Sequence, residues 1–444
     1  MRSLKQLRKD ALDIFLACLR AVDPERAVIE SLSVEGNVLH LSQNDYIDLS
    51  RFKRIVVFGA GKASAAMAKG LEAVLGEKVS DGVVVVKHGH GLPLKNIDVV
   101  ESGHPTPTKE GKAAAARMLE IAESLGEQDL VIGCISGGGS SLLSLPASGI
   151  TLYDKIDITE KLLASGANIF EINVVRKHIS QVKGGYLLGR CYPATVVNLM
   201  LSDVIGDDPS TIASGPLAPD ETTYTVALEV LKKYHLLEFT PVSIVDHLLK
   251  GAQGQEQETP NKDSHIFEHV HNVIVGSNVL SLKSGAPAAE HLGYRTLILS
   301  STVRGDTVPA AEFHAYLAEE IRSTGNPIPP PACLLSGGET TVRVCGDGLG
   351  GRNQHFVLAL VEAASRIDSC LFLSAGTDGT DGPTDAAGAI VDTETFSRSS
   401  ELGLNPNDYL ARYDAYHFFQ RLGDLVQTGP TLTNVMDIHI VLLG

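Results

Sequence analysis

The stretch RIVVFGAGKASAAMAKG, Arg54 to Gly70, runs an apolar strand into a glycine turn that carries a lysine, then into an alanine-rich helical pattern. Strand, glycine turn and helix in that order are the unit of an open α/β sheet, and such turns cradle phosphates. Two known phosphate loops are nearly matched. A Walker loop needs G-x-x-x-x-G-K-[ST]. Here Lys62 is followed by Ala63, and the first glycine position is Val56. The dinucleotide fingerprint is closer, as Gly59-x-Gly61-x-x-Ser64, but its third position calls for Gly or Ala. The next strand should end in an acid that binds ribose hydroxyls, whereas VVVVKHGHG ends in Lys87 and His88. Two readings stay open: a tight turn with a solvated lysine, or a helix N-terminus at which Lys62 and the helix dipole attract an anion.

The same alternation extends along the chain. Apolar runs at Arg54–Ala60, Gly82–Gly89, Asp98–Gly103, Asp129–Gly138 and Ala194–Asp203 read as strands, with helical patterns between several of them. Strands that are apolar throughout predict a parallel sheet covered by helices on both faces. Around KGAQGQEQETPNKDSH, Lys250 to His265, the chain turns polar, as a surface loop or linker does. Further strands are expected at His271–Asn278, Arg295–Ser301, Ala332–Thr340, Ser369–Gly379 and Ile438–Gly444, with TVRVCG as a short antiparallel strand. The expected organisation is an α/β domain over residues 1–250, a polar segment over 251–265 and a second α/β domain over 266–444.

Composition limits what such a protein does. The chain has 444 residues, 43% hydrophobic and 20% charged, with no tryptophan and 5% aromatics. Its cores therefore rest on Val, Leu, Ile and Ala. The formal net charge of −16 argues against a nucleic-acid partner. None of the six cysteines forms a CxxC pair, so neither a zinc site nor a disulfide framework is suggested. The N-terminal MRSLKQLRKDALDIFLACLRAV is interrupted by Asp13 and Arg20 and fits an amphipathic helix rather than a targeting signal. No apolar stretch is long enough to span a membrane, and a cytoplasmic protein is expected.

Ligands of open α/β sheets bind beyond the carboxyl ends of the strands. The residues found there are Gly, Ser, acids and a few cations. In CISGGGSSLLSLP, Gly137, Gly138 and Gly139 let backbone N–H groups converge on one anion, and Ser136, Ser140 and Ser141 add hydroxyls. NVVRKHISQVKGG gathers Arg176, Lys177, His178 and Lys183, as an anion site or as a solvated helix face. LSDVIGDD ends a strand on Asp203, followed by Asp207 and Asp208. These acids suit Mg²⁺, a hydroxyl proton or simple turn chemistry. LLSGGETTV adds Glu339, and GLGGRNQ places Arg352 at an apparent helix start, where a guanidinium forks onto phosphoryl or carboxylate groups. SAGTDGTDGPTDAAGA holds Asp378, Asp381 and Asp385 without EF-hand spacing. His88, His90 and His104 read as core or loop histidines, and no Ser/His/Asp order stands out.

Taken in order, GAGKA, SGHPTP, SGGGSSL, NVVRKHIS-x-x-KGG, LSDVIGD-x-x-x-IASGP, SGGET, GGRNQ, GTDGTDG and TGPTLTNVMD resemble the glycerate 2-kinase family with its MOFRL C-terminal domain, some members of which carry the name hydroxypyruvate reductase. The resemblance covers nearly the whole chain. It implies two α/β/α domains, a Rossmann-like N-terminal one and a smaller mixed-sheet C-terminal one, with the active site in the cleft between them. It implies ATP- and Mg²⁺-dependent phosphorylation of D-glycerate at the 2-hydroxyl. Lys62 and Arg352 match the positions regarded as catalytic, and Asp203 joins them as base or metal ligand. Gly59, Gly61, Ser136, Gly137, Gly138, Gly139, Ser140, Ser141 and Glu339 are the expected nucleotide set. Lys62, Arg176, Lys183, Arg352 and Asn353 are the expected substrate set, and Asp203, Asp378 and Asp381 the expected Mg²⁺ ligands. GGRNQ is usually followed by an acid; here it is His355. The sequence leaves the oligomeric state open, a homo-oligomer included. Two rival functions are an NAD(P)H-dependent hydroxypyruvate reductase, against which the missing ribose acid counts, and a non-catalytic binder of small acids.

Overall fold

The computed structural model describes residues 2–42 and 44–444. The chain forms two compact units, Pro24–Val275 and the joined segments Met1–Asp23 and Gly276–Gly444. Among the described residues no helix is long and apolar enough to cross a membrane.

In the unit Pro24–Val275 a helix, Pro24–Ser31, is followed by a small antiparallel meander of β1 (Ser33–Glu35), β2 (Val38–His40) and β3 (Tyr46–Asp48). Its main sheet contains β4 (Arg54–Ala60), β5 (Asp81–Lys87), β6 (Asp98–Ser102), β7 (Asp129–Ser136), β8 (Thr195–Leu201) and β9 (Val270–Gly276), in spatial order β6-β5-β4-β7-β8-β9. Strands β6, β5, β4, β7 and β8 pair in parallel. This order reverses direction between β4 and β7, the switch point of a doubly wound Rossmann-like sheet. Every residue of β7 is buried, which is why it reads as a continuous apolar run. Phe58, Val83, Val85, Met118, Val131 and Val196 belong to one core. A second core of Ile158, Leu162, Ile172, Val175 and Leu231 lies among the helices that carry the basic motif. Helix Ser64–Leu75 follows the GAGK turn. A Cβ on its Gly70 would overlap the Glu25 carbonyl, so glycine lets the helix Pro24–Ser31 pack closely against it.

The other unit has a mixed sheet of β10 (Arg295–Asp306), β11 (Ala332–Thr341), β12 (Cys370–Gly376), β13 (Gly388–Asp392), β14 (Leu425–Val426) and β15 (Asp437–Leu443), ordered β10-β11-β15-β12-β13-β14. Only β10 and β11 are parallel neighbours; the remaining pairs are antiparallel. The amphipathic N-terminal helix Leu4–Ala21 is part of this unit. Its Leu7, Ala11, Ile14, Phe15 and Cys18 are buried in one core with Leu282, Leu335, Leu371 and Ile440. Arg8 on the same helix reaches Asp392 and Asp424, each at 2.6 Å.

The division therefore departs from 1–250 and 266–444 at both ends. The first helix joins the C-terminal unit because its apolar stripe is covered by that unit's sheet. Strand β9 joins the sheet of the other unit, where the Asn198 side chain donates to Asn272 at 2.9 Å. The polar segment 251–265 is a loop of the first unit: Asp220 N–H donates to the Pro260 carbonyl at 3.0 Å, and Thr259 is buried. TVRVCG does not form a strand. Strand β11 ends at Thr341, and Val344 beyond it is exposed with no neighbour to pair.

Candidate active site

The carboxyl ends of β4 and β7 are tied directly together. Lys62 N–H donates to the Gly137 carbonyl at 2.9 Å, and Ala63 N–H donates to Ser136 Oγ at 3.1 Å. Ser64 Oγ lies 3.3 Å from Ser136 Oγ, and the Lys62 carbonyl is 3.0 Å from His90 Nδ1. Gly61 has φ +145°, and a Cβ there would lie 2.5 Å from the Ser136 carbonyl oxygen. The SGGG turn is equally crowded. A Cβ on Gly137 would overlap Asp203 Oδ2, one on Gly138 would lie 3.0 Å from His104 Nε2 and 3.3 Å from Lys62 Cγ, and one on Gly139 2.6 Å from the Ala60 carbonyl oxygen. GAGK, SGHP, SGGG and LSD thus converge around Gly138. Gly137→Ala is expected to cost about 1–3 kcal/mol, the usual range for forced overpacking, and to lower turnover in proportion to the displacement of Asp203. Urea denaturation alongside an activity assay checks both.

Among the described residues Lys155, Arg176 and Lys183 take part in no ion pair. Burial first, then Lys62, Lys87, His90 and Arg176, push the His104 imidazole down to about 4, so it is neutral at pH 7. His90 is also lowered, mainly by burial. Arg176 is pushed down to about 10 by burial, and Lys183 falls well below the ordinary lysine range. Lys183 donates to the Leu143 carbonyl at 3.0 Å, and Ser140 Oγ is 2.6 Å from Ser214 Oγ, which donates to Asn173 Oδ1 at 3.0 Å. Lys177 is different, paired with buried Asp220 at 3.1 Å.

Several expected roles change. Gly59 lies within β4, where a Cβ would be 2.8 Å from Val84 Cγ2, so the glycine lets β4 and β5 pack closely. Ser136 is buried, with its hydroxyl spent on the GAGK turn, and Ser141 Oγ donates to the Gly138 carbonyl at 3.1 Å. Both hold the loop rather than offer free donors. Asp208 accepts from Ser210 N–H at 2.9 Å and is a turn residue.

In the C-terminal unit Arg352 opens helix Arg352–Leu358 and is held by two acids. Its Nε donates to Asp437 Oδ2 at 2.6 Å, Nη2 to Asp437 Oδ1 at 3.0 Å and Nη1 to Glu339 Oε1 at 2.7 Å. Glu339 therefore orients Arg352, and burial raises its carboxyl above the usual range. The Asn353 side chain is fully engaged: Nδ2 donates to Asp437 at 2.9 Å and Asp381 at 3.2 Å, and Oδ1 accepts from Ser374 at 2.7 Å. It is buried. Asp381 caps the start of this helix. Burial pushes it up to about 6, and it accepts from the N–H groups of Asn353 (3.0 Å) and Gln354 (2.8 Å) at the helix start. Asp378 accepts from Thr380 N–H at 3.1 Å, an Asx turn. Among the described residues no group of three or more His, Cys, Asp or Glu is placed to hold a metal ion. His355 is buried and stacked on Tyr413, with centroids 5.2 Å apart, so that position packs rather than catalyses. Asp437 was not singled out from sequence, and His104 was read as a core or loop histidine. His104 follows the strand-end logic, in SGHP after β6, whereas Asp437 opens β15 at its amino end.

Residues 10–249 match the family model described as a domain of unknown function, DUF4147, and residues 332–437 match the MOFRL family. The chain is 40% identical over 440 residues to a D-glycerate 2-kinase of Thermotoga maritima, covering 99% of each chain. The chain belongs to the MOFRL-type glycerate kinase family. Another relative, from Agrobacterium vitis, bears the name putative hydroxypyruvate reductase and is 42% identical over 393 residues, 88% of this chain and all of that one. A solved structure of the family, glycerate kinase from Thermotoga maritima, superposes with TM-score 0.88 at 39% identity, covering 99% of this chain and 100% of that one.

Proposed function

We propose that the protein phosphorylates D-glycerate at its 2-hydroxyl, taking the phosphoryl group from ATP in the presence of Mg²⁺ and releasing 2-phosphoglycerate and ADP. The observation that carries this reading is the cradle at the β4/β7 switch point. Lys62, a neutral His104 and Arg176 gather around a glycine turn that Asp203 also adjoins. Phosphoryl transfer demands positioning and charge neutralisation more than covalent chemistry. Lys62 neutralises a phosphoryl oxygen, and the N–H groups of the glycine turn position the phosphates. Arg352 keeps a third of its side chain exposed and two N–H bonds beyond those given to Asp437 and Glu339. Within its own unit it is a preset guanidinium with donors to spare. Mg²⁺ neutralises charge on the nucleotide phosphates, and a nucleotide-borne ion needs one or two protein carboxylates rather than a closed cage. Asp203 fits that need, as ligand or as acceptor of the hydroxyl proton. All six cysteines are unbridged, Cys345 exposed among them, which suits a cytoplasmic setting.

The reductase reading is the weaker one. Strand β5 ends on Lys87, where a dinucleotide site needs an acid. Phosphorus NMR of the product of D-glycerate and Mg-ATP tests the proposal. The expected signal is that of 2-phosphoglycerate; the 3-isomer overturns the regiochemistry, and nucleotide-dependent reduction of hydroxypyruvate without phosphorylation overturns the kinase.

A further inference from the structure

A buried cation stands beside the cradle that no sequence motif marks. Lys155 lies on helix Leu152–Ala164, is 2% exposed, and its Nζ has no hydrogen-bond partner. Arg176 comes from the next helix, Ile169–His178, and its buried Nε is likewise without a partner. Lys183 is fully buried, with one hydrogen bond, to the Leu143 carbonyl. The three feel one another's charge. Lys155 is pushed down to about 7 by burial and then by Arg176; Lys183 is lowered by burial and then by Lys155 and Arg176. Asn173, one turn before Arg176, is joined through Ser214 to Ser140 of the glycine turn. Lys183 is anchored to Leu143, just past the same turn.

Two lysines removed from water beside a partly exposed arginine, with no acid paired to any of the three among the described residues, are costly, and proteins normally give such groups a partner. The partner missing here is an anion. The N–H groups of the glycine turn suit a phosphate chain. Two buried amino groups with a guanidinium at their edge suit a compact, singly charged planar group, which a guanidinium binds through paired N–H bonds.

We infer that Lys155, Arg176 and Lys183 form the seat of the acceptor's carboxylate, with Lys155 its unmarked third member. The inference rests on the kinase reading, since it names the part of the acceptor this corner holds. It makes the enzyme selective for small hydroxy acids over neutral polyols.

Calorimetric titration of the whole protein with D-glycerate alone, lactate alone, inorganic phosphate alone and ADP alone tests it, using wild type and Lys155→Met. Methionine keeps the apolar stem and removes the charge. D-glycerate and lactate are expected to weaken about tenfold or more, the worth of one hydrogen bond to a charged group, with ADP unchanged. The ligand-free variant should melt at a higher temperature than wild type, because the unpaired ammonium is gone. It should lose the rise in melting temperature that D-glycerate gives. Unchanged D-glycerate affinity overturns the inference. So does weakened phosphate or ADP binding with D-glycerate intact, which would make the corner a nucleotide site. A lower melting temperature with normal D-glycerate binding overturns it as well, by making Lys155 a packing residue. If wild type binds D-glycerate through Lys155 but shows no phosphorylation, the kinase reading fails and the carboxylate seat stands.

Discussion

Lys62→Ala is expected to lower kcat for D-glycerate phosphorylation by about a thousandfold, with a smaller change in KM. Losing one preset donor aimed at developing charge costs about 10²–10³ in kcat. The alanine variant should fold normally. The lysine backbone makes the hydrogen bond that closes the turn, to the Gly137 carbonyl at 2.9 Å, and that bond survives truncation of the side chain. Half-buried Lys62 is also one of the charges that depress His104. Its removal should let the His104 imidazole titrate at a higher pH, visible in histidine proton NMR. Initial-rate kinetics with a coupled ADP assay decide the main claim, and wild-type turnover in the variant would sink the role given to Lys62.

Asp437→Ala is expected to destabilise the protein by about 3 kcal/mol. Removing one partner of a buried, hydrogen-bonded ion pair costs about 3–5 kcal/mol. The lower end applies because Arg352 is one-third exposed and keeps Glu339. Asp437 is fully buried and accepts from Arg352 twice and from Asn353 once. Its loss frees Arg352 to swing toward Glu339, so kcat should fall although Asp437 itself is not required to touch substrate. Asp437→Asn retains an acceptor and should cost less on both counts. Guanidinium denaturation and steady-state kinetics separate the two effects. A variant as stable as wild type would mean that the Arg352 cluster does not hold the loop before β15.

The strands were readable because β4, β5, β7 and β8 are buried along nearly their whole length, and β4 and β7 run directly into glycine. The short β13 was not, since GAIVD lies in a glycine- and aspartate-rich stretch whose turn signals dominate. A Cβ on its Gly388 would overlap the Ser374 carbonyl, a constraint visible only once β12 is beside it. The glycines of SGGG were read as freedom for an anion. The structure adds a tighter reason: each faces a neighbouring chain segment that a side chain would displace. Lys155 was invisible because YDKIDITEKLL reads as an ordinary amphipathic helix, and only tertiary packing closes over its ammonium. The acids of GTDGTDG pointed to metal because composition alone cannot separate an oxygen ligand from a helix cap. Asp381 is spent on backbone N–H groups before any ion arrives.

The helix Leu4–Ala21 is made before the sheet on which it packs, whose strands begin at Arg295 and end at Leu443. The unit Pro24–Val275 is in effect inserted into another domain. During synthesis the apolar stripe of Leu7, Ile14 and Phe15 must wait, uncovered, while about 250 residues of a separate domain emerge and fold. A fragment beginning at Gly276 would have the converse fault, leaving Leu335, Leu371 and Ile440 bare and prone to aggregate. The C-terminal domain is complete only when helix Leu4–Ala21 and strand β15 are both made.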